Sequence, residues 1–357
     1  MKKVLALSLA AMMAVSLVGC SGSSSSGSTE AATEAESKAE EAAAEESAAE
    51  DAGEAGEEAA SDGETYTVGI CQLVQHVALD AATEGFMDAI KEALGEDAVT
   101  FDVQNAQGDS NTCSTIINSF VSNDVDLILA NATAALQAAQ AGTNEIPVLG
   151  TSVTEYGVAL GIDDFSGTVG GNISGTSDLA PLDEQAAMLN ELFPDAKNVG
   201  LLYCSAEANS QYQVDVVKAA LEEMGYTCEY YAFSDSNDLA TIATNAANAC
   251  DVIYVPTDNT VASNTEIINN ICQPAGVPIV AGEEGICSGC GVATLSISYY
   301  DLGVATGKMA VKVLTGEADI SEMPVEYAPQ FTKKYNASLC EALGVEVPDG
   351  YVAIEAE

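Results

Sequence analysis

The strongest constraint on the fold is that one short pattern occurs twice, in the same order. Tyr66, Thr67, Val68, Gly69, Ile70 and Cys71 read as a short buried strand. Gln72, Gln75 and His76 follow as a polar turn, and apolar residues then recur at helical spacing through Leu79, Ala82, Phe86, Ile90 and Leu94. Val199 to Cys204 repeat the strand, and Ser205, Glu207, Asn209 and Ser210 repeat the turn. A helix from about Gln211 to Met224 follows, with Val214, Val217, Ala220, Leu221 and Met224 on one face. Asp126-Leu127-Ile128-Leu129, with Asn131 and Thr133, is answered by Asp251-Val252-Ile253-Tyr254, with Pro256, Thr257, Asp258 and Asn259. Ile146-Pro147-Val148-Leu149-Gly150 is answered by Val277-Pro278-Ile279-Val280-Ala281. Matched pairs in one order predict two α/β lobes, Rossmann-like with parallel sheets. Ligands of open parallel sheets sit at the carboxyl ends of the strands, so two such lobes facing each other make a cleft lined by the polar turns.

Residues 1–19 read as a signal peptide, with Lys2 and Lys3 before an apolar run from Val4 to Val18 that is too short to span a bilayer securely. Leu17-Val18-Gly19-Cys20 looks like a bacterial lipobox, so the mature chain is expected to begin at an acylated Cys20 and to be lipid-anchored on the extracytoplasmic face of a bacterial cell membrane. From Ser21 to Glu64 fourteen acidic residues stand against the single Lys38, a composition that cannot bury enough apolar surface to offset its ordering entropy. Residues 20–64 are therefore expected to be the lipidated cysteine and a disordered acidic tether. The remainder is long enough for two domains with ordinary cores.

The formal charge of the whole chain is −45, and beyond the tether seven basic groups face forty-one acidic ones. That sign disfavours nucleic acid and anionic membrane as partners. The chain has no arginine. Any anion it binds must be held by backbone N–H groups, hydroxyls, helix N-termini or a rare lysine. Among ten cysteines the tightest pair is Cys287-Ser288-Gly289-Cys290, but zinc needs about four ligands and the only histidine, His76, is far away in sequence. No metal and no cofactor are expected. Cys71, Cys113, Cys204, Cys228, Cys250 and Cys272 read as buried inert thiols, with a Cys287–Cys290 disulfide on an exposed loop as an alternative for the last pair.

The candidate binding residues are those that follow strands. In the first lobe they are Gln75; Asn131, Thr133 and Ala134, which open a helix with small side chains; and Thr151 and Ser152, with Asp178 at the end of the link that follows. In the second they are Ser205, Glu207, Asn209 and Ser210; Thr257, Asp258 and Asn259; and Glu283, with Tyr299 near the junction. Helix capping explains any one of them; their joint position at strand ends points to a site. Asn172 to Asp178 reads as a polar link between lobes, and Ser296 to Gly303 as a second. The lobes are expected to comprise residues 65–177 plus 297–323 and residues 178–296 plus 324–357.

Four stretches, Gln72 to Asp80, Asn172 to Asp178, Val255 to Ser263 and Ser298 to Gly303, resemble the substrate-binding lipoproteins of ABC importers, specifically the ABC substrate-binding family that includes tryptophan and tyrosine importers. The resemblance implies a type I periplasmic-binding-protein fold, with two lobes joined by a three-crossing hinge that closes on one small solute. It also implies an ABC permease and ATPase as partners, a monomeric protein, and an amino acid with an aromatic or other apolar side chain as ligand. On that footing the ammonium is expected at Asp258, with Glu283 or Asp178 as second choices. The carboxylate is expected at Ser205, Asn209 or Ser210 and at N–H groups around Thr133 to Ala135, and Tyr299, Tyr300 or Val153 in the side-chain wall. A nucleoside or sugar in the same fold, or a ligand sensor docking on a membrane receptor, are the alternatives. An enzyme is not expected, because His76 has no Ser or Cys partner motif and neither a Gly-x-Ser-x-Gly nor a phosphate loop occurs.

Overall fold

The computed structural model describes residues 65–328 and 330–355. The expected signal peptide, Cys20 and the expected tether lie outside the described residues. The first half of the chain alternates strands and helices as β1 (Tyr66–Gln72), α1 (Val77–Leu94), β2 (Val99–Asn105), α2 (Ser110–Ser122), β3 (Leu127–Asn131), α3 (Thr133–Gly142), β4 (Val148–Val153), α4 (Tyr156–Leu160) and β5 (Ile173–Ser177). The second continues as α5 (Leu182–Leu192), β6 (Asn198–Cys204), α6 (Ala208–Glu223), β7 (Thr227–Phe233), α7 (Ser236–Ala249), β8 (Val252–Val255), α8 (Asn259–Ala262), α9 (Thr265–Ala275), β9 (Ile279–Ala281), α10 (Glu284–Cys290) and β10 (Ala293–Ser296). Last come α11 (Tyr299–Leu314), β11 (Glu326–Tyr327), β12 (Thr332–Tyr335), α12 (Ala337–Leu343) and β13 (Val352–Ala353).

The strands form two sheets, ordered β11-β5-β4-β3-β1-β2 and β13-β12-β10-β9-β8-β6-β7. Every pairing in the first is parallel; in the second only β10 with β12 is antiparallel. The chain thus passes between the sheets three times, after β5, after β10 and after β11. This is the expected α/β architecture of two lobes joined by three crossings. The β11 pairing with Thr176 and Ser177 keeps Glu326 and Tyr327 in the first sheet, past residue 323 where the return to the second lobe was expected.

Strand periodicity places the cores. Val68, Ile70, Leu127 and Leu129 face Phe86, Ile90 and Met309 of α1 and α11. The alternate residues Cys71, Ile128 and Ala130 face Ile117, Phe120 and Leu136 of α2 and α3. Helices cover both faces, so the strands are buried on both, as parallel strands require. Helix α11 is bound to α1 at close range: a Cβ at Gly85 would collide with the Tyr300 carbonyl, and one at Gly303 with that of Ala82. The first turn of α11, beginning with Tyr299, is thereby carried on the first lobe while it lies beside the crossing.

Two segments differ from expectation. Asn172 to Asp178, read as a link, contains the buried strand β5. Its polar side chains are satisfied inside: Ser174 Oγ donates to the Met323 carbonyl, and Thr176 Oγ1 pairs with Thr151 and Thr306. The Cys287–Cys290 segment, for which a disulfide on a loop was left as an alternative, is helix α10 with both thiols buried and unbonded to each other. Their hydrogen-bond contacts are the carbonyls of Gly291 and Ile286.

Candidate functional site

The carboxyl ends of both sheets face one cleft. One mouth, of about 250 Å3, is lined by Leu73, Val74, Gly108 and Ala134 from the first lobe and by Glu207, Asn259 and Thr260 from the second. A second opening, about 270 Å3, lies toward the crossings between Val77, Ala81, Tyr299 and Glu283. Lys334 is at its rim, ion-paired with Glu284. Among the described residues no lysine lines the first mouth.

On the first lobe the strand ends leave polar groups without partners. Asn131, at the end of β3, donates through Nδ2 to the Leu79 carbonyl and to Thr83 Oγ1, which fixes its amide and leaves Oδ1 buried and unbonded. Ala132, next in the chain, cannot cap α3 through a side chain and sits at φ 92°, ψ 159°, a region that is almost exclusive to glycine. The helix therefore presents its first N–H groups, from Thr133 onward, with no side-chain cap and with the partial positive charge of its dipole. Ser152, near the end of β4, also has positive φ (54°), and its buried Oγ lacks a partner. Asp178, just past β5, accepts from Tyr299 Oη through Oδ2 at 2.9 Å, while its buried Oδ1 accepts nothing. Burial pushes the Asp178 pKa up, and the hydroxyls of Tyr299 and Thr154 pull it back.

The second lobe satisfies its own acids. Asp258 accepts from the N–H groups of Cys204 (2.7 Å) and Val261 (2.8 Å), capping α8 and tying it to β6. Burial, and then the charge of Glu207, push its pKa up to about 8 against those two donors. Glu283 caps α10 through Gly285 N (2.6 Å) and Ile286 N (2.5 Å), and burial raises its pKa to about 7. Glu207 accepts five hydrogen bonds, from Asn209 Nδ2, from N and Nδ2 of Asn259, and from N and Oγ1 of Thr260.

Of the residues expected at the site, Asn131, Thr133, Ala134, Ser152 and Asp178 stand at or just after the ends of first-sheet strands, and of these and Tyr299, Ala134 lines the first mouth and Tyr299 the second opening. The structure brings Glu207, Asn209, Ser210, Thr257, Asp258, Asn259 and Glu283 to the ends of the second sheet. Three others are placed differently. Thr151 turns from the cleft into the hydroxyl cluster with Thr176 and Thr306 under α11, because adjacent residues of β4 point to opposite faces. Gln75 is exposed, and Ser205 is exposed with Oγ donating to the Phe233 carbonyl. At Asp258, expected to meet the ammonium, each carboxylate oxygen already accepts one main-chain N–H, so its first acceptor positions serve as a cap. Sequence reasoning left out His76, whose Nε2 lies 3.2 Å from Asn259 Oδ1 across the cleft and whose Nδ1 is buried without a partner. Its place in the turn after β1 was the available signal.

A family model described as ABC transporter substrate binding protein matches residues 67–357. A tyrosine-binding protein of Clostridioides difficile (strain R20291) is 34% identical over 281 residues, 78% of this chain and 81% of the relative. Two solved structures are similar. One is an ABC domain in complex with L-Trp from Streptococcus pneumoniae, at 32% identity and a TM-score of 0.77 over 81% of this chain and 100% of that one. The other is the ligand-free, open structure of a substrate binding protein with adhesive properties from Clostridium difficile, at 35% identity and a TM-score of 0.63 over 82% and 100%. With two parallel-rich lobes, three crossings and an interlobe cleft already in place, these matches make the chain a member of the ABC transporter substrate binding protein family.

Proposed function

We propose that this protein binds one amino acid with an aromatic or other apolar side chain between its lobes and delivers it to an ABC permease and ATPase. The observation that supports this most is the pairing, on the first lobe, of buried acceptors without partners and an uncapped helix N-terminus. A zwitterion needs both. Its ammonium would meet Asp178 Oδ1, since Asp258 and Glu283 are occupied as caps. Its carboxylate would meet the N–H groups from Thr133 to Ala135 and the Ser152 hydroxyl, which answers the lack of any arginine. A sugar or nucleoside would offer hydroxyls to the acceptors but no anion to the helix terminus. Tyr299 would hold Asp178 in place and form part of the wall.

The lobes would close by rotation about the crossings just past Asp178, near Ser296–Ile297 and at Tyr327–Thr332, carrying residues 65–178 with 297–327 against 179–296 with 332–355. The better superposition on the L-Trp complex than on the open relative supports reading these lobes as drawn together, as do the packing of α4 on α6 and the His76–Asn259 contact. The protein would act as a monomer without catalytic activity, held to the membrane through an acylated Cys20.

The test is a thermal-shift screen of the protein against amino acids, nucleosides and sugars. A ligand at a hundred times its dissociation constant adds about 2.7 kcal/mol of stability. Shifts confined to aromatic or other apolar amino acids are expected. Shifts with nucleosides or sugars alone would overturn the reading.

A further inference from the structure

The interlobe contact at His76 has a defined chemistry. Asn259 Nδ2 donates to Glu207 Oε2 at 2.7 Å, and a carboxylate oxygen can only accept from it, so the Asn259 amide is fixed with Oδ1 toward His76. Oδ1 is an acceptor, so the 3.2 Å contact requires a hydrogen on His76 Nε2. A neutral ring carrying its proton there leaves Nδ1 as a lone pair, and Nδ1 is a buried atom with no partner. The same inspection of Asn131 gives another unpartnered acceptor, and Asp178 Oδ1 is a third. The buried first-lobe atoms left open by the fold are thus weighted toward acceptors.

We propose that His76 is a solute-binding residue, its Nδ1 accepting a hydrogen bond from a donor of the bound amino acid other than the ammonium assigned to Asp178, and that Asn259 and Glu207 are positioning residues that set its tautomer as the lobes meet. This rests on the amino-acid reading above and adds to it a residue, a protonation state and a direction for the hydrogen bond. The lobes are coupled through the same ring: Nε2 holds the second lobe while Nδ1 holds the solute, so solute and closure reinforce one another. The charged groups facing the ring are Asp80 of its own helix and Glu207 of the second lobe, both favouring protonation. Burial acts more strongly in the opposite direction and keeps the closed ring neutral. A ring that is protonated in the open protein must therefore lose a proton to bind. Affinity should fall as pH drops below the ordinary histidine value of about 6.5, approaching tenfold per pH unit.

His76 is the chain's only histidine, so the ring can be observed alone in untagged protein labelled with 15N-histidine. Spectra are recorded with saturating L-tyrosine or L-tryptophan, and affinities are measured from pH 5 to 8. The expected result is a single neutral tautomer protonated at Nε2 in the complex, with the Nδ1 resonance displaced as that of a hydrogen-bond acceptor. Asn259→Ala should return the ring to a mixture of tautomers. His76→Gln, which keeps a donor at the ε position but loses the δ acceptor, should bind at least tenfold more weakly and with a flat pH profile. His76→Asn, which keeps an acceptor at the δ position, should recover most of that loss. A wild-type complex with a mixed or Nδ1-protonated ring, or with no pH dependence, overturns the proposal while the amino-acid reading stands. Binding of neither amino acid brings down that reading and this proposal with it.

Discussion

The two lobes end corresponding strands in polar turns and use them in opposite ways. After β3 the turn is Asn131-Ala132-Thr133, and helix α3 opens without a side-chain cap. After β8 it is Thr257-Asp258-Asn259, and α8 opens on a carboxylate that caps it and reaches back to β6. The pattern extends along both edges. The first lobe leaves Asn131 Oδ1, Ser152 Oγ and Asp178 Oδ1 open, whereas in the second Glu207, Asp258 and Glu283 spend their oxygens on their own backbone. A buried polar group without a partner costs roughly 1–3 kcal/mol. The second lobe avoids that cost at its acids, although Thr294 Oγ1 of β10 is buried there without a partner as well; in the first lobe a bound solute would relieve it. On the proposed function, the first lobe would hold the solute and the second would be a preformed surface that closes over it.

The sharpest way to break this contrast is to remove one acid from each side. Asp178→Asn should weaken binding of the amino acid that the screen identifies by about 2–5 kcal/mol, thirtyfold or more, in calorimetry. Asp258→Ala should do the reverse, lowering stability by about 1–2 kcal/mol through the lost cap while affinity stays within about threefold. Equal affinity losses for the two variants would erase the distinction.

A smaller effect is expected on the pH dependence of stability. Asp258 and Glu283 have raised pKa values in the folded protein, about 8 and about 7, whereas unfolded carboxylates titrate near 4. Between those limits the folded state binds more protons, so the two groups contribute stability that is full below about pH 4 and is lost as pH rises through 7 to 8. The melting temperature should be lower at pH 8 than at pH 5. Asp258→Asn, which keeps a capping oxygen without the charge, should flatten the slope. A melting temperature that climbs from pH 5 to 8 would show that these caps are charged throughout.

The smallest effect concerns backbone strain at the solute-facing turn. Ala132→Gly relieves a φ of 92° and should raise stability by about 1 kcal/mol in denaturant titration, with affinity nearly unchanged. A loss of stability there would remove strain as a mark of the first lobe.

The two-lobe fold was legible because buried parallel strands leave continuous apolar runs, as in Val68 to Cys71 and Val199 to Cys204, followed at once by helical periodicity. Strand β5 was hidden because its Ser and Thr side chains find internal partners in Thr151, Thr306 and the Met323 carbonyl, so its burial leaves no apolar signature. The turns that line the cleft were legible as a set. The roles within them were not, because a carboxylate that caps a helix and one that awaits a solute are the same residue type in the same place. Asp258 is capped on both oxygens by N–H groups of other residues, whereas Asp178 Oδ1 is buried without a partner. His76 was hidden for a related reason: its meaning depends on Asn259 and Glu207, more than a hundred residues away in the chain, which define its tautomer.

The most direct measurement is a crystal structure of the protein with its amino-acid ligand from the screen bound. The contrast between lobes predicts the amine at hydrogen-bond distance, about 2.9 Å, from Asp178 Oδ1, and the carboxylate over the first N–H groups of α3, with the caps at Asp258 and Glu283 unbroken. An amine seated on Asp258 or Glu283, with those caps released and the open first-lobe acceptors untouched, would contradict it.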